Sequence, residues 1–251
     1  MKFRDSLPLT MAETPVAPRL EDTKGAGRLA LGGALGIVAA AVTLLLPSIF
    51  LYVALYAPGG FFALGPTLLQ TLSLLVLVGA VLFLLSFFVY RLAFATLRKA
   101  DPRFSVASVL CLIGSLGFLL VVVAAAVLLG SSGSLVTCIH GQPSHALSCL
   151  KSGQPLGAYT AVVGFWLGWL GGVGIVVGLS SAGHRFARGA LYGAGAVYGL
   201  LLLVLIGPFL ALVYAVPYQQ YLLLVVPFLA LVAPILTYAG SRVPPPTVRR
   251  A

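Results

Sequence analysis

Acidic residues are nearly absent from this chain. Asp5, Glu13, Glu21, Asp22 and Asp101 are all there are in 251 residues, and no carboxylate follows position 101. The later apolar stretches therefore lack the groups needed for paired-carboxylate catalysis, acidic Mg²⁺ sites or intramembrane proton relays. Charge of either sign is also scarce. Only 8% of residues are charged and 60% are hydrophobic, against about 25% charged in a soluble domain. Such a composition cannot supply the charged skin of a water-soluble protein this long. Histidine is confined to His140, His145 and His184. None falls at membrane depth in the spans read below, which removes intramembrane haem ligation by histidine.

What the chain does have is apolar length. Runs covering residues 29–56, 67–90, 105–130, 158–182, 189–214 and 221–240 each meet the roughly 20 residues that a helix needs to cross the hydrocarbon core. They predict an all-α, polytopic integral membrane protein built as a bundle of six transmembrane helices. The second helix is expected to continue through Arg91 to Leu97, past the end of its apolar run. Residues 1–28 read as a flexible basic cytoplasmic tail, with Pro8, Pro15 and Pro18 among its charges. That stretch is too long and polar for a signal-peptide n-region, so no cleavable leader is expected. Residues 29–240 form the six-helix domain, 131–157 its long extracytoplasmic loop, and 241–251 a Pro-rich basic cytoplasmic tail.

The cations fix an orientation. Fourteen of the fifteen Lys and Arg residues lie before the first run, after every second run, or in the final tail; Lys151 is the exception. Cytoplasmic loops retain Lys and Arg, so both termini are expected in the cytoplasm of a protein of the plasma (cell) membrane. Five spans would put Arg242, Arg249 and Arg250 outside. Tyr52, Tyr56, Tyr159, Tyr214, Tyr218 and Tyr221 mark the outer ends, where amphipathic rings settle. The net charge of +10 is spread in small groups beside apolar runs, without the continuous basic face of a nucleic-acid binder. The expected partners are membrane lipids, with anionic headgroups at the cytoplasmic basic clusters. Three spans followed by three of opposite orientation also match the arithmetic of an inverted repeat, although the two halves share no residue pattern.

Glycines at four-residue spacing supply a packing signal. Gly32/Gly36, Gly164/Gly168/Gly172, Gly174/Gly178, Gly189/Gly193 and Gly195/Gly199 would place small residues in strips that admit a neighbouring backbone. Either tight packing within the chain or a homo-oligomer face fits them. Pro47, Pro208, Pro227 and Pro234 fall inside apolar runs and should kink their helices. The sixth span, with two of them, is the one expected to depart most from ideal geometry.

The outer loop gathers Cys138, His140, His145 and Cys149. In an oxidising exterior, a Cys138–Cys149 disulfide is expected to stabilise by roughly 2–3 kcal/mol. The alternatives are free thiols, or a four-ligand zinc or copper site from the same residues, whose spacing matches no common zinc module. Cys111, inside the third span, reads as an apolar filler. The run Gly130-Ser131-Ser132-Gly133 resembles the nucleophile motif of rhomboid proteases. No histidine lies on either later span expected to hold one, and a serine without a base in reach is not activated.

The run from Tyr90 to Phe104, through Arg91, Arg98, Lys99, Asp101, Pro102 and Arg103, is joined by Gly/Leu/Arg-rich spans and a Pro-rich basic tail. In these features the chain resembles uncharacterised multi-span membrane proteins of hyperthermophilic archaea. The resemblance implies the architecture and an archaeal plasma membrane, and no activity. The residues themselves point first to a non-enzymatic structural or accessory subunit of a membrane complex, without cofactor. The alternatives are a passive transporter or channel for a neutral or hydrophobic solute, and metal handling at the outer loop.

Overall fold

The computed structural model describes residues 20–45, 66–130, 155–214 and 222–242. Six long helices account for nearly all of them: α1 (Leu20–Ala40), α2 (Pro66–Arg98), α3 (Phe104–Gly130), α4 (Pro155–Phe186), α5 (Gly189–Tyr214) and α6 (Leu222–Arg242). All six are long and apolar enough to cross a membrane. The protein is therefore an all-α bundle with the character of a multi-pass membrane protein. Large apolar side chains face outward along every helix, among them Leu31, Leu85, Leu116, Trp166, Leu203 and Phe228. A hydrocarbon surround accommodates that surface, whereas water would not.

Helix limits differ from the sequence expectation for local reasons. α2 and α4 start at Pro66 and Pro155, residues that read as loop. Proline suits a first helical turn because its missing N–H would be unpaired there anyway. α2 runs through Arg91 to Arg98 and at 33 residues is about 50 Å long. The largest correction concerns the tail expected over residues 1–28. Positions 20–28 are helical, and Asp22 and Gly25 are buried. Glu21 and Asp22 fall in the first turn, where the helix dipole favours negative charge, so residues that look like tail polarity are a helix start. α6 is continuous through Pro227 and Pro234.

Each helix packs on its neighbours in sequence, and α6 closes back on α1. The result is a ring of six, with the α3–α4 seam the most extensive contact. Close approaches show every neighbouring pair to be antiparallel. Gly25 meets Leu97 while Gly36 meets Ser86, Gly33 meets Tyr238 while Gly36 meets Pro234, and Gly183 meets Tyr192 while Gly172 meets Leu202. All described Lys and Arg residues thereby gather at one end, called here the basic end. This ring order also disposes of the inverted repeat. A twofold axis in the membrane plane reverses the direction of travel around a ring, whereas matching α1, α2, α3 to α4, α5, α6 preserves it.

Two turns close the basic end. Between α2 and α3, Asp101 Oδ1 accepts the Arg103 N–H at 3.0 Å, capping the Pro102–Arg103 turn that leads into α3. Between α4 and α5, Arg188 N donates to Gly183 O at 2.9 Å and Ala187 N to His184 O at 3.3 Å. Ala187 adopts φ 52°. This is a Schellman ending with alanine where glycine is usual.

The ring encloses a filled interior at this end. Leu29, Tyr90, Phe94, Leu97, Phe104, Ile175, Leu179 and Leu191 are all fully buried in one cluster, which Leu236 of α6 also joins. Phe94 stacks between Tyr90 and Phe104 at centroid distances of 6.2 and 6.1 Å. All six helices thus contribute to a single plug of packed side chains.

Candidate functional site: a buried ion cluster at the basic end

Three elements bring charge together where the plug meets the basic end. Asp22, on the first turn of α1, is only 1% exposed. Arg185, in the last turn of α4, grips it with two bonds: Nε to Oδ1 at 2.8 Å and Nη2 to Oδ2 at 3.1 Å. The guanidinium also reaches the Asp101 carboxylate in the α2–α3 turn, with Nη1 to Oδ2 at 3.5 Å. A bidentate guanidinium–carboxylate fork is the geometry that best offsets the cost of removing both charges from water. One arginine therefore ties the start of α1, the turn after α2 and the end of α4.

Other basic side chains at this end bind neutral acceptors. Arg188 Nη1 donates to Gly240 O at 3.2 Å, joining the α4–α5 turn to the end of α6. Arg28 Nη1 donates to Leu92 O at 3.2 Å and to the Thr96 hydroxyl. His184 Nδ1 lies 3.1 Å from the Tyr192 hydroxyl. A small cavity of about 10 Å³, room for about one water, is lined by Ala26, Leu29, Phe186, Arg188, Leu191, Gly240 and Ser241.

Deeper in the bundle the polar groups are mild and occupied. Ser86 Oγ donates to Gly32 O at 2.9 Å, and the Tyr90 and Tyr198 hydroxyls are 3.4 Å apart. Trp169 Nε1 donates to Leu202 O at 3.0 Å. Ser115 and Thr237 each bond the carbonyl four residues earlier, as Ser241 does at the basic end. One exception stands out among the described residues: the Thr43 hydroxyl is buried without a partner. It lies in a π-helical segment, Ala41–Leu45, that continues α1, and it occupies the space a side chain at Gly79 would need.

The glycines named from the sequence divide into two groups. An added Cβ would lie 3.3 Å from the Tyr90 ring at Gly32, 3.0 Å from Pro234 at Gly36, 2.8 Å from Gly117 O at Gly164, and 3.3 Å from Phe118 at Gly168. It would lie 2.5 Å from Leu202 at Gly172, 2.6 Å from Leu110 Cβ at Gly174, 3.0 Å from Ser180 Oγ at Gly195, and against the Phe94 ring at Gly178. Gly193 and Gly199 have ordinary contacts at 3.7 and 3.9 Å, and Gly189 faces open space. The α3 partners of the main seam, Gly114 and Gly117, escaped sequence notice because they are three apart. Cys138, His140, His145 and Cys149, and with them the disulfide and the metal alternative, lie outside the described residues. Among the described residues no group of three or more His, Cys, Asp and Glu could hold a metal ion.

No family model, characterised protein or solved structure matches this chain. Function must therefore be read from its own geometry. The ion cluster is the feature that sequence reasoning missed. The available signal was scarcity: three of only five acids, Glu21, Asp22 and Asp101, sit near helix ends on the side that carries Arg185. Chemically, the cluster holds no nucleophile and no unengaged carboxylate. It is suited to fixing three chain segments against one another.

Proposed function

We propose that this chain is a non-enzymatic multi-pass membrane protein acting as a structural or accessory subunit of a membrane complex. The observation that carries this reading is the filled ring. All six helices share one core at the basic end, and Arg185 clamps that end through Asp22 and Asp101. A bundle so occupied offers its outer apolar surface, and little else in that half, to other molecules. The same reading puts the chain in the plasma membrane, with both termini cytoplasmic and the basic end facing anionic headgroups. Affinity isolation of the full chain in mild detergent tests it. A homo-oligomer or a stoichiometric companion is expected, and a lone monomer without companions would overturn it.

One observation favours a second reading, passive passage of a neutral solute. The unpartnered Thr43 hydroxyl sits in a π-helical segment, and such segments concentrate at functional sites. This segment packs against α2 and α6. Swelling of proteoliposomes in glycerol or urea, lost on Thr43→Val, would favour that reading over the first.

A further inference from the structure

We propose that the outer groove between α1 and α2 at the basic end binds the phosphate headgroup of an anionic membrane lipid. The inference rests on the membrane reading above and adds a specific site to it. Its first support is the state of Arg28. Among the described residues nine cations face three acids, and Arg185 takes both Asp22 and Asp101. Among the described residues Arg28 pairs with no carboxylate. Its Nη1 is anchored on Leu92 O and Thr96 Oγ1, and Thr96 Oγ1 in turn donates to Leu92 O at 2.8 Å. Neutral acceptors orient the guanidinium without cancelling its charge, and Nε and Nη2 retain their donors for an anion.

The second support is what surrounds it. Lys24 lies one turn earlier on the same stripe of α1, and Lys99 follows the end of α2. Both are exposed, and Gly25 packing on Leu97 sets them at a similar level. Glu21, the one acid on this stripe, is a further turn from Arg28. In the other direction the outward faces of the two helices become apolar: Leu31 and Val38 on α1, and Leu85 and Phe88 on α2, are exposed at 54, 49, 46 and 44%. Cations at the end of the helix pair and an exposed apolar surface beyond them match an amphiphile with an anionic head. A soluble anion would leave that apolar surface unused, and a zwitterionic lipid brings no net charge.

Native mass spectrometry of the full chain in mild detergent, with equal phosphatidylglycerol and phosphatidylcholine of matched chains, tests the site. The wild type should retain phosphatidylglycerol preferentially. Lys24→Gln combined with Arg28→Gln should lower that retention about thirty-fold, from roughly 1 kcal/mol per cation near an anionic headgroup. Arg103→Gln, exposed but outside the groove, should leave it unchanged. Arg28→Lys, which keeps the charge, guards against mistaking misfolding for lost binding, and should retain more than the double variant. Equal retention of both lipids, or unaltered retention in the double variant, would overturn the proposal. Failure to sediment with membranes would instead sink the membrane reading on which it rests.

Discussion

At the scale of single residues, the Arg185 cluster separates structural charge from surface charge. Removing one partner of a buried ion pair leaves the other uncompensated, which costs about 3–5 kcal/mol. Asp22→Asn should therefore lower stability by about 3 kcal/mol, read as a loss of thermal stability in detergent. Asp101 holds the same guanidinium at 3.5 Å and is more exposed, and asparagine would keep its cap on the Arg103 N–H, so Asp101→Asn should cost at most about 1 kcal/mol. If both substitutions behave like surface changes, the cluster is not a clamp. Ala187 offers the opposite sign. At φ 52° an alanine carries strain of about 1 kcal/mol that glycine relieves, so Ala187→Gly should be neutral or raise the unfolding temperature. A clear loss would contradict the turn geometry.

At the scale of elements, glycine spacing showed which helices pack closely but not which glycines do so. Gly174 and Gly193 both belong to four-residue pairs, yet a Cβ at Gly174 meets Leu110 at 2.6 Å and one at Gly193 meets Leu236 at 3.7 Å. Gly174→Ala should destabilise by about 1–3 kcal/mol through overpacking of the α3–α4 seam. Gly193→Ala should stabilise by up to about 1 kcal/mol, since alanine is the better helix former. The pair is best compared by thermal melting of both variants in one detergent, and equal shifts would refute the distinction. Helix existence was legible because long apolar runs have few alternative structures. Helix ends were less so. Pro66 and Pro155 look like breakers until their place in the first turn is known, and residues 20–28 look like tail because the partner of Asp22 is 163 positions away. Long-range pairing leaves no local trace in a single sequence, so hydropathy could not find the cluster. The π-helical segment at Ala41–Leu45 gave no compositional signal either.

At the scale of the whole molecule, one asymmetry connects topology, packing and lipid contact. The alternating cations that predict orientation come together at one end only because the helices alternate strictly around a closed ring. The α2–α3 turn is the decisive place to test whether they also dictate orientation. It carries Arg98, Lys99 and Arg103 but also Asp101, which belongs to the Arg185 cluster. Replacing the three cations with Gln removes the retention signal while leaving Asp101 to its clamp. If orientation is set by local charge during insertion, α2 and α3 should be disturbed, and cysteine-accessibility mapping should find this turn on the opposite side of the membrane in part of the population. The folded bundle opposes that outcome, because an inverted α2–α3 pair would separate Asp101 from Arg185 and the aromatic stack of Tyr90, Phe94 and Phe104 from its core. Mapping that leaves every loop in place would show that ring closure and the buried ion cluster, rather than the positive charges, hold the topology. Adding Asp101→Asn to the triple variant separates the two contributions. An orientation lost only in the combined variant would assign to the Arg185 clamp the share of topology that the cations do not carry.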